Sequence, residues 1–398
     1  MANRRSVDLA LQGGGSHGAF TWGVLDALLE DGRLSFDGVS GTSAGAMNAA
    51  VLAVGLARGG PDEARRSLAA FWAEIGGTPA CFARVGMPGG DAPAWPAFLF
   101  NTELWGPGAM WWDAWTRWFS PFQFNPLNLN PLKDILERHV DVALLRQGPL
   151  KLFVTATAVK TGQARVFTGG DLSVEALLAS ACLPQLFQAV QIDGEAYWDG
   201  GYSGNPALWP LVYGTESDDV VLVQINPLER DRLPLTAMEI ADRLNEITFN
   251  ASLVGELRAI AFVQRLLREQ RVDRSRYKEM RLHRIADEAG LSAYGASSKL
   301  NSDPRLLQSL FGLGRQAGEA WLAAHFEAIG HRGTVEIDDT FLSKRRTRKV
   351  GGEGAAKALD EAEQTVHSSA AAAKISAASP RRAASAAAAS PRRNAPRR

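Results

Sequence analysis

The sequence predicts a three-layer α/β body on a central, largely parallel sheet, followed by a disordered basic tail. Three observations carry this. The opening residues alternate strand, glycine loop, helix, strand, turn and helix, a density that suits helices packed on both faces of parallel strands. Two later apolar runs, residues 150–159 and 220–225, read as buried strands. Beyond residue 343 the composition shifts to Ala, Ser, Pro, Arg and Lys, with almost nothing to bury.

In order, Val7, Leu9 and Leu11 alternate up to Gln12, where Gly13-Gly14-Gly15 break the pattern. Phe20, Val24, Leu25, Leu28 and Leu29 then fall at helical spacing, and Gly32 stops that helix. A short strand at 36–39 leads through Gly41-Thr42-Ser43-Ala44-Gly45 into a small-residue helix reaching Leu56. Asn130-Pro131 signals a helix start, running to about His139. Residues 174–181 look helical, and residues 188–198 read as two short strands around an Asp193-Gly194 turn. Long amphipathic helices at 236–271 and 304–330 complete a body of residues 1–343, leaving 344–398 as the tail. Within that tail a short helix is expected near 353–367.

Composition narrows the function classes. With 46% hydrophobic and 22% charged residues, the chain of 398 buries a real core and is neither fibrous nor wholly disordered. Its 43 Lys+Arg balance 43 Asp+Glu, which argues against an obligate nucleic-acid binder. That zero averages two unlike parts, because residues 344–398 hold 13 basic and 4 acidic residues and the body holds 30 and 39. Two cysteines, Cys81 and Cys182, imply no disulfide framework. The N-terminus shows no apolar signal region, and the longest apolar stretch, 44–57, is too short to span a bilayer. A cytoplasmic protein, or one held peripherally at a membrane, is expected.

Gly13, Gly15 and Gly18 satisfy G-x-G-x-x-G between a strand and a helix, with Asp37 where a ribose-binding acid would sit. A dinucleotide site and a plain tight turn both stay open on that spacing. The continuation favours neither, because the second strand runs at once into Gly41-Thr42-Ser43-Ala44-Gly45, a G-x-S-x-G nucleophile elbow. Small residues on either side let a sharp turn lift the serine hydroxyl clear of the sheet. An acyl-transfer serine also needs oxyanion donors, and Gly13, Gly14 and Gly15 offer side-chain-free amides on the adjacent strand. As base, His283, His325 and His331 lie downstream but in undistinguished contexts, where a packed or surface histidine is the simpler reading. Asp199, ending a strand before Gly200-Gly201, is the better partner, although an ordinary Asp-Gly turn reads the same way. Asn205-Pro206 is expected to cap the helix that follows.

Taken together, Gly13-Gly14-Gly15-Ser16-His17-Gly18, Gly41-Thr42-Ser43-Ala44-Gly45, Ala179-Ser180-Ala181-Cys182-Leu183-Pro184 and Asp199-Gly200-Gly201 resemble the patatin-like phospholipases over about residues 7–210. The resemblance implies a patatin-like fold and a serine acyl hydrolase working with a Ser–Asp dyad, without histidine, metal or cofactor. It implies Ser43 as nucleophile, Asp199 as base and Gly13, Gly14 and Gly15 as oxyanion hole, with Gly18, Gly41, Gly45, Gly200 and Gly201 supporting. The sequence departs from the family at His17, where Arg or Lys is frequent; a lipid-phosphate contact there would depend on pH.

The substrate expected is a lipid ester or another hydrophobic ester, such as a storage polyester. A non-catalytic lipid-binding scaffold and a dinucleotide-dependent oxidoreductase are the readings from other classes. Trp95, Trp105, Trp111, Trp112, Trp115 and Trp118, with neighbouring phenylalanines, suit either core packing or an apolar lid. The tail's Ser-Pro-Arg-Arg repeats suit an anionic membrane surface and, more weakly, nucleic-acid phosphates.

Overall fold

The parallel strands are apolar on both faces, and this dictates the layering. In β7 (Asp219–Val223), Val221 and Val223 belong to one core cluster and Val220 and Leu222 to another, so helices must cover both sides. The computed structural model describes residues 4–77, 120–230 and 232–342, all within the unit Met1–Leu342. The expected tail, its short helix near 353–367 and the tryptophans between Trp95 and Trp118 lie outside the described residues.

The architecture is mixed α/β, with a central mostly parallel sheet flanked by helices. The remaining strands are β1 (Arg5–Leu11), β2 (Leu34–Thr42), β3 (Lys151–Ala158), β4 (Ala164–Thr168), β5 (Val190–Ile192), β6 (Glu195–Asp199) and β8 (Arg281–Ile285). Their order is β5-β6-β3-β2-β1-β7-β8, with β4 also on β3. The run β3-β2-β1-β7-β8 is parallel, whereas β4, β5 and β6 pair antiparallel at the β3 side.

One face is covered by α1 (Gly18–Asp31), which Gly32 ends in the left-handed conformation (φ 71°), and by α2 (Ala44–Gly77), which breaks at Gly59-Gly60-Pro61. Between α2 and the hairpin strands come α3 (Pro121–Phe124), α4 (Pro131–His139), α5 (Val142–Gln147) and α6 (Val174–Ser180). Asn130 caps α4 through the Leu132 amide at 3.1 Å, as its sequence signal predicts. After them come α7 (Trp209–Gly214), α8 (Ala237–Arg268), α9 (Glu288–Ser292) and α10 (Pro304–His325). Leu253, Leu257 and Ala261 of α8 cover the second face, while Leu307, Leu310 and Trp321 of α10 join the first.

Several expectations change. The second strand extends to Leu34–Thr42 because its first residues edge into solvent, where apolar patterning is not required. β8 went unread because Arg281, His283 and Arg284 interrupt its apolar pattern. Its edge position accommodates them, Arg281 and His283 pairing with Asp219. No helix among the described residues is long and apolar enough to cross a membrane.

α1 and α10 cross at near-backbone distance. A Cβ on Gly23 would overlap the Phe311 carbonyl, and one on Gly314 would overlap that of Phe20. Arg315 closes the crossing with Asp26 and Glu30, which Arg65 of α2 also holds, at 2.8 and 3.0 Å. Gly314→Ala is therefore expected to destabilise by about 1–3 kcal/mol through overpacking. Gly312→Ala, where the space is open, should stabilise by up to about 1 kcal/mol through helix propensity. Urea titration of both variants distinguishes crowding from propensity.

Candidate active site

Three parallel strands end together at the carboxyl edge of the sheet, the customary place for a site in such folds. β1 ends at Leu11 before the glycine loop, β2 at Thr42 before Ser43, and β7 at Val223 before Asn226. Register brings in Asp199: Thr42 pairs with Thr155 of β3, and the next β3 residue, Ala156, pairs with Asp199. A single strand thus separates the backbones of Ser43 and Asp199, about 10 Å at ordinary strand spacing.

Ser43 sits between the end of β2 and the start of α2 with φ 53°, the left-handed conformation of a strained turn. Such a turn leaves no room for side chains. A Cβ on Gly45 would overlap the Leu11 carbonyl, and one on Gly13 would lie 2.7 Å from the Ser43 Cβ. Gly41 faces the Gly45 carbonyl equally closely. Gly18 opens α1 against Ala44, while Gly200 and Gly201 form a 3-10 turn beneath Thr155 and the Phe249 ring.

Asp199 is wholly buried. Its Oδ1 accepts the Gly201 amide at 2.7 Å, and its Oδ2 has no hydrogen-bond partner of full geometry. Burial pushes the carboxyl up to about 7, opposed by the Gly201 amide, the Ser43 hydroxyl and the Lys299 ammonium. The Ala179–Pro184 block ties the two residues together: Ser180 Oγ accepts the Ser43 amide at 2.9 Å, and the Cys182 carbonyl accepts that of Asp199 at 2.8 Å.

The glycine loop is held by asparagines. The Gly13 amide donates to Asn205 Oδ1 at 2.6 Å, so it is not a free donor, which corrects its place beside Gly14 and Gly15 as an oxyanion donor. Asn226 Nδ2 donates to the Gly13 carbonyl at 2.8 Å. Buried Gln12 stitches these pieces, accepting the Ile225 and Asn226 amides at 3.0 and 2.9 Å and donating to the Asn205 carbonyl at 3.2 Å. The Asn205-Pro206 bond is cis and caps no helix, because α7 starts only at Trp209 and the Asn205 side chain is spent on Gly13.

The remaining candidates part company with the site. His17 is buried, with Nε2 2.7 Å from Ser298 Oγ. Burial, then Lys299 and Arg230, lower it to about 3, so it stays neutral and presents no charge to a phosphate. His283 Nε2 pairs with Asp219 Oδ1 at 2.9 Å and packs on Trp321, a structural role. Asp37 binds the Glu216 amide and Lys151. Among the described residues, no three His, Cys, Asp or Glu side chains group as metal ligands. Pattern reading missed Gln12, Asn226 and Lys299. The one signal available, for Gln12 and Asn226 alone, was a polar residue directly following a buried apolar run; Lys299 lies in a 3-10 segment and had none.

Residues 9–212 match the family model for patatin-like phospholipase. No curated protein matches the chain. Among solved structures it is similar to VipD from Legionella pneumophila, at 15% identity and TM-score 0.35, covering 84% of this chain and 72% of that one. It is also similar to the type III effector protein ExoU, at 17% identity and TM-score 0.29, covering 80% of this chain and 53% of that one.

Two outcomes test the geometry. Ser180→Ala strands a buried Ser43 amide and should cost about 1–3 kcal/mol in chemical unfolding. Raising the Asp199 carboxyl from 3.8 to about 7 makes the folded state hold a proton that the unfolded chain releases, so this group's contribution to stability declines as pH rises through that window. Asp199→Asn should therefore raise Tm at pH 8 relative to wild type, and change it little at pH 4. Differential scanning calorimetry at the two pH values measures this.

Proposed function

The chain belongs to the patatin-like phospholipase family, and from that premise we propose that it hydrolyses lipid carboxylic esters through a Ser43 acyl-enzyme. The observation that carries this reading is the strained Ser43 turn set beside a buried Asp199 whose Oδ2 has no full hydrogen bond of its own. Family membership supports lipid acyl hydrolysis, and the geometry supports the division of labour.

Ionised Asp199 takes the Ser43 proton as Oγ attacks the ester carbonyl. The Gly14 and Gly15 amides hold the oxyanion, helped by the positive N-terminal end of α2, which starts at Ala44. The protonated carboxyl returns its proton to the departing alkoxide. It then takes a proton from water, which attacks the acyl-enzyme, and returns that proton to Ser43 Oγ as the acid leaves. One carboxyl serves both halves of the cycle, and a value near neutrality suits a group that must both accept and donate. Buried, neutral His17 adds no cation at the loop, so a phosphate headgroup is not an element of recognition at that position.

Fluorophosphonate labelling, followed by hydrolysis of a panel of phospholipids, neutral glycerides and polyesters, tests the reading. Ser43→Ala should abolish labelling and turnover, and Asp199→Asn should lower kcat by about 10²–10⁴. Wild-type kcat/KM should rise as pH passes through about 7, as the base ionises. Labelling that survives Ser43→Ala would refute the nucleophile, and hydrolysis confined to polyesters would refute the lipid substrate.

A further inference from the structure

A buried lysine stands behind the glycine loop. Lys299, in the 3-10 segment Ala296–Leu300, is 8% exposed, and its Nζ donates to Asn226 Oδ1 at 2.7 Å. Its main chain presses on the loop, for a Cβ on Gly15 would overlap the Lys299 carbonyl. Nothing in the dyad chemistry uses this side chain directly, yet burying an ammonium is costly unless it is well partnered.

Hydrogen-bond polarity shows what the ammonium does. Lysine Nζ has only donors, so Asn226 must turn its Oδ1 toward it. The amide nitrogen must then face the other way, and there it donates to the Gly13 carbonyl at 2.8 Å and to Gln12 Oε1 at 3.1 Å. In a trans peptide the carbonyl and the following N–H point in opposite directions. Anchoring the Gly13 carbonyl in the interior therefore turns the Gly14 N–H away from it. The next peptide is held likewise, its Gly14 carbonyl accepting the His17 amide at 3.2 Å, which orients the Gly15 N–H. Both peptides are flanked by glycine and would rotate easily without these anchors.

We propose that Lys299 is a positioning residue for the oxyanion donors, acting through Asn226 on the Gly13–Gly14 peptide. The inference rests on the acyl-hydrolase reading above. Were the ammonium absent, Asn226 could reverse its amide, and its oxygen would then oppose the Gly13 carbonyl. The Gly13 carbonyl would lose the shorter of its two anchors and keep only Asn205 Nδ2 at 3.4 Å, a looser hold on the peptide that aims Gly14. Burial lowers Lys299 to about 8, with Glu246 and Asp242 opposing the change, so the cation persists at neutral pH. The same charge favours ionised Asp199 from a distance.

The test uses the full chain and a soluble short-chain ester, with Lys299→Met, Lys299→Arg and Asn226→Asp. Asn226→Asp keeps an oxygen for the ammonium but removes the donor to Gly13. Lys299→Met and Asn226→Asp should each lower kcat at least tenfold, with KM within about twofold. Each should weaken a trifluoromethyl ketone, whose hemiketal oxygen mimics the oxyanion, in proportion to kcat. Lys299→Arg should recover part of the loss.

Unchanged kcat in a folded Lys299→Met would overturn the proposal. So would a kcat loss that leaves ketone affinity intact, because the oxyanion donors would then still be in place without Lys299. If Lys299→Met fails to fold, Asn226→Asp decides by the same two readouts. Wild-type turnover that persists in Ser43→Ala would instead bring down the acyl-enzyme reading itself, whatever the Lys299 variants do.

Discussion

The site depends on one close approach: the chain leaving β1 at Gly13 lies against the chain leaving β2 at Ser43, with no side chain between them. Gly13 is gripped at its amide by Asn205 and at its carbonyl by Asn226, so the contact is fixed from both sides. Around it the polar groups of three strand ends are satisfied inside the protein, with Gln12 as the common partner. A buried polar network of this kind is worth having only if every member is paired. The side-chain oxygens and nitrogens of Gln12, Asn205 and Asn226 all have hydrogen-bond partners.

The scaffold behind that contact is stiff for a different reason. α1 continues directly from the glycine loop, α2 from Ser43, and α10 crosses α1 where Gly23 and Gly314 let the backbones nearly touch. Interiors so closely packed transmit displacement and do not absorb it. The break at Gly59-Gly60-Pro61 falls beyond the part of α2 that supports the serine, and that first half is tied to α1 through Asn48, which donates to the Gly18 carbonyl at 3.0 Å and accepts from Trp72 Nε1 at 3.0 Å.

How much of this was legible in the sequence follows from how local each signal is. Gly32, Asn130-Pro131, Asp193-Gly194 and the G-x-S-x-G turn act on the chain immediately around them, and each marks its turn or cap where the structure has it. The apolar runs revealed the buried strands, but β8 hid because an edge strand tolerates Arg281, His283 and Arg284. Asp199 and Ser43 were legible as motif residues, whereas their meeting depends on β3 register, which pattern does not encode. Lys299, Asn226 and Gln12 were opaque because their importance lies in partners distant in the chain. Asn205 was misread for the same reason: an Asn-Pro pair is a local helix signal, and here a long-range bond to Gly13 overrides it.

The place of β3 has a consequence for the order in which the molecule comes into being. Ser43 and its Ser180 support are 137 residues apart, and Asp199 lies farther still along the chain. Loops of that length close late, after the local helices and the β1–β2 pairing have formed. A growing chain therefore forms the serine turn long before Asp199 is made, and β3 must pair on both edges before the two meet. Under the proposed mechanism, a half-made chain therefore holds the nucleophile without its base until β3 has paired on both edges.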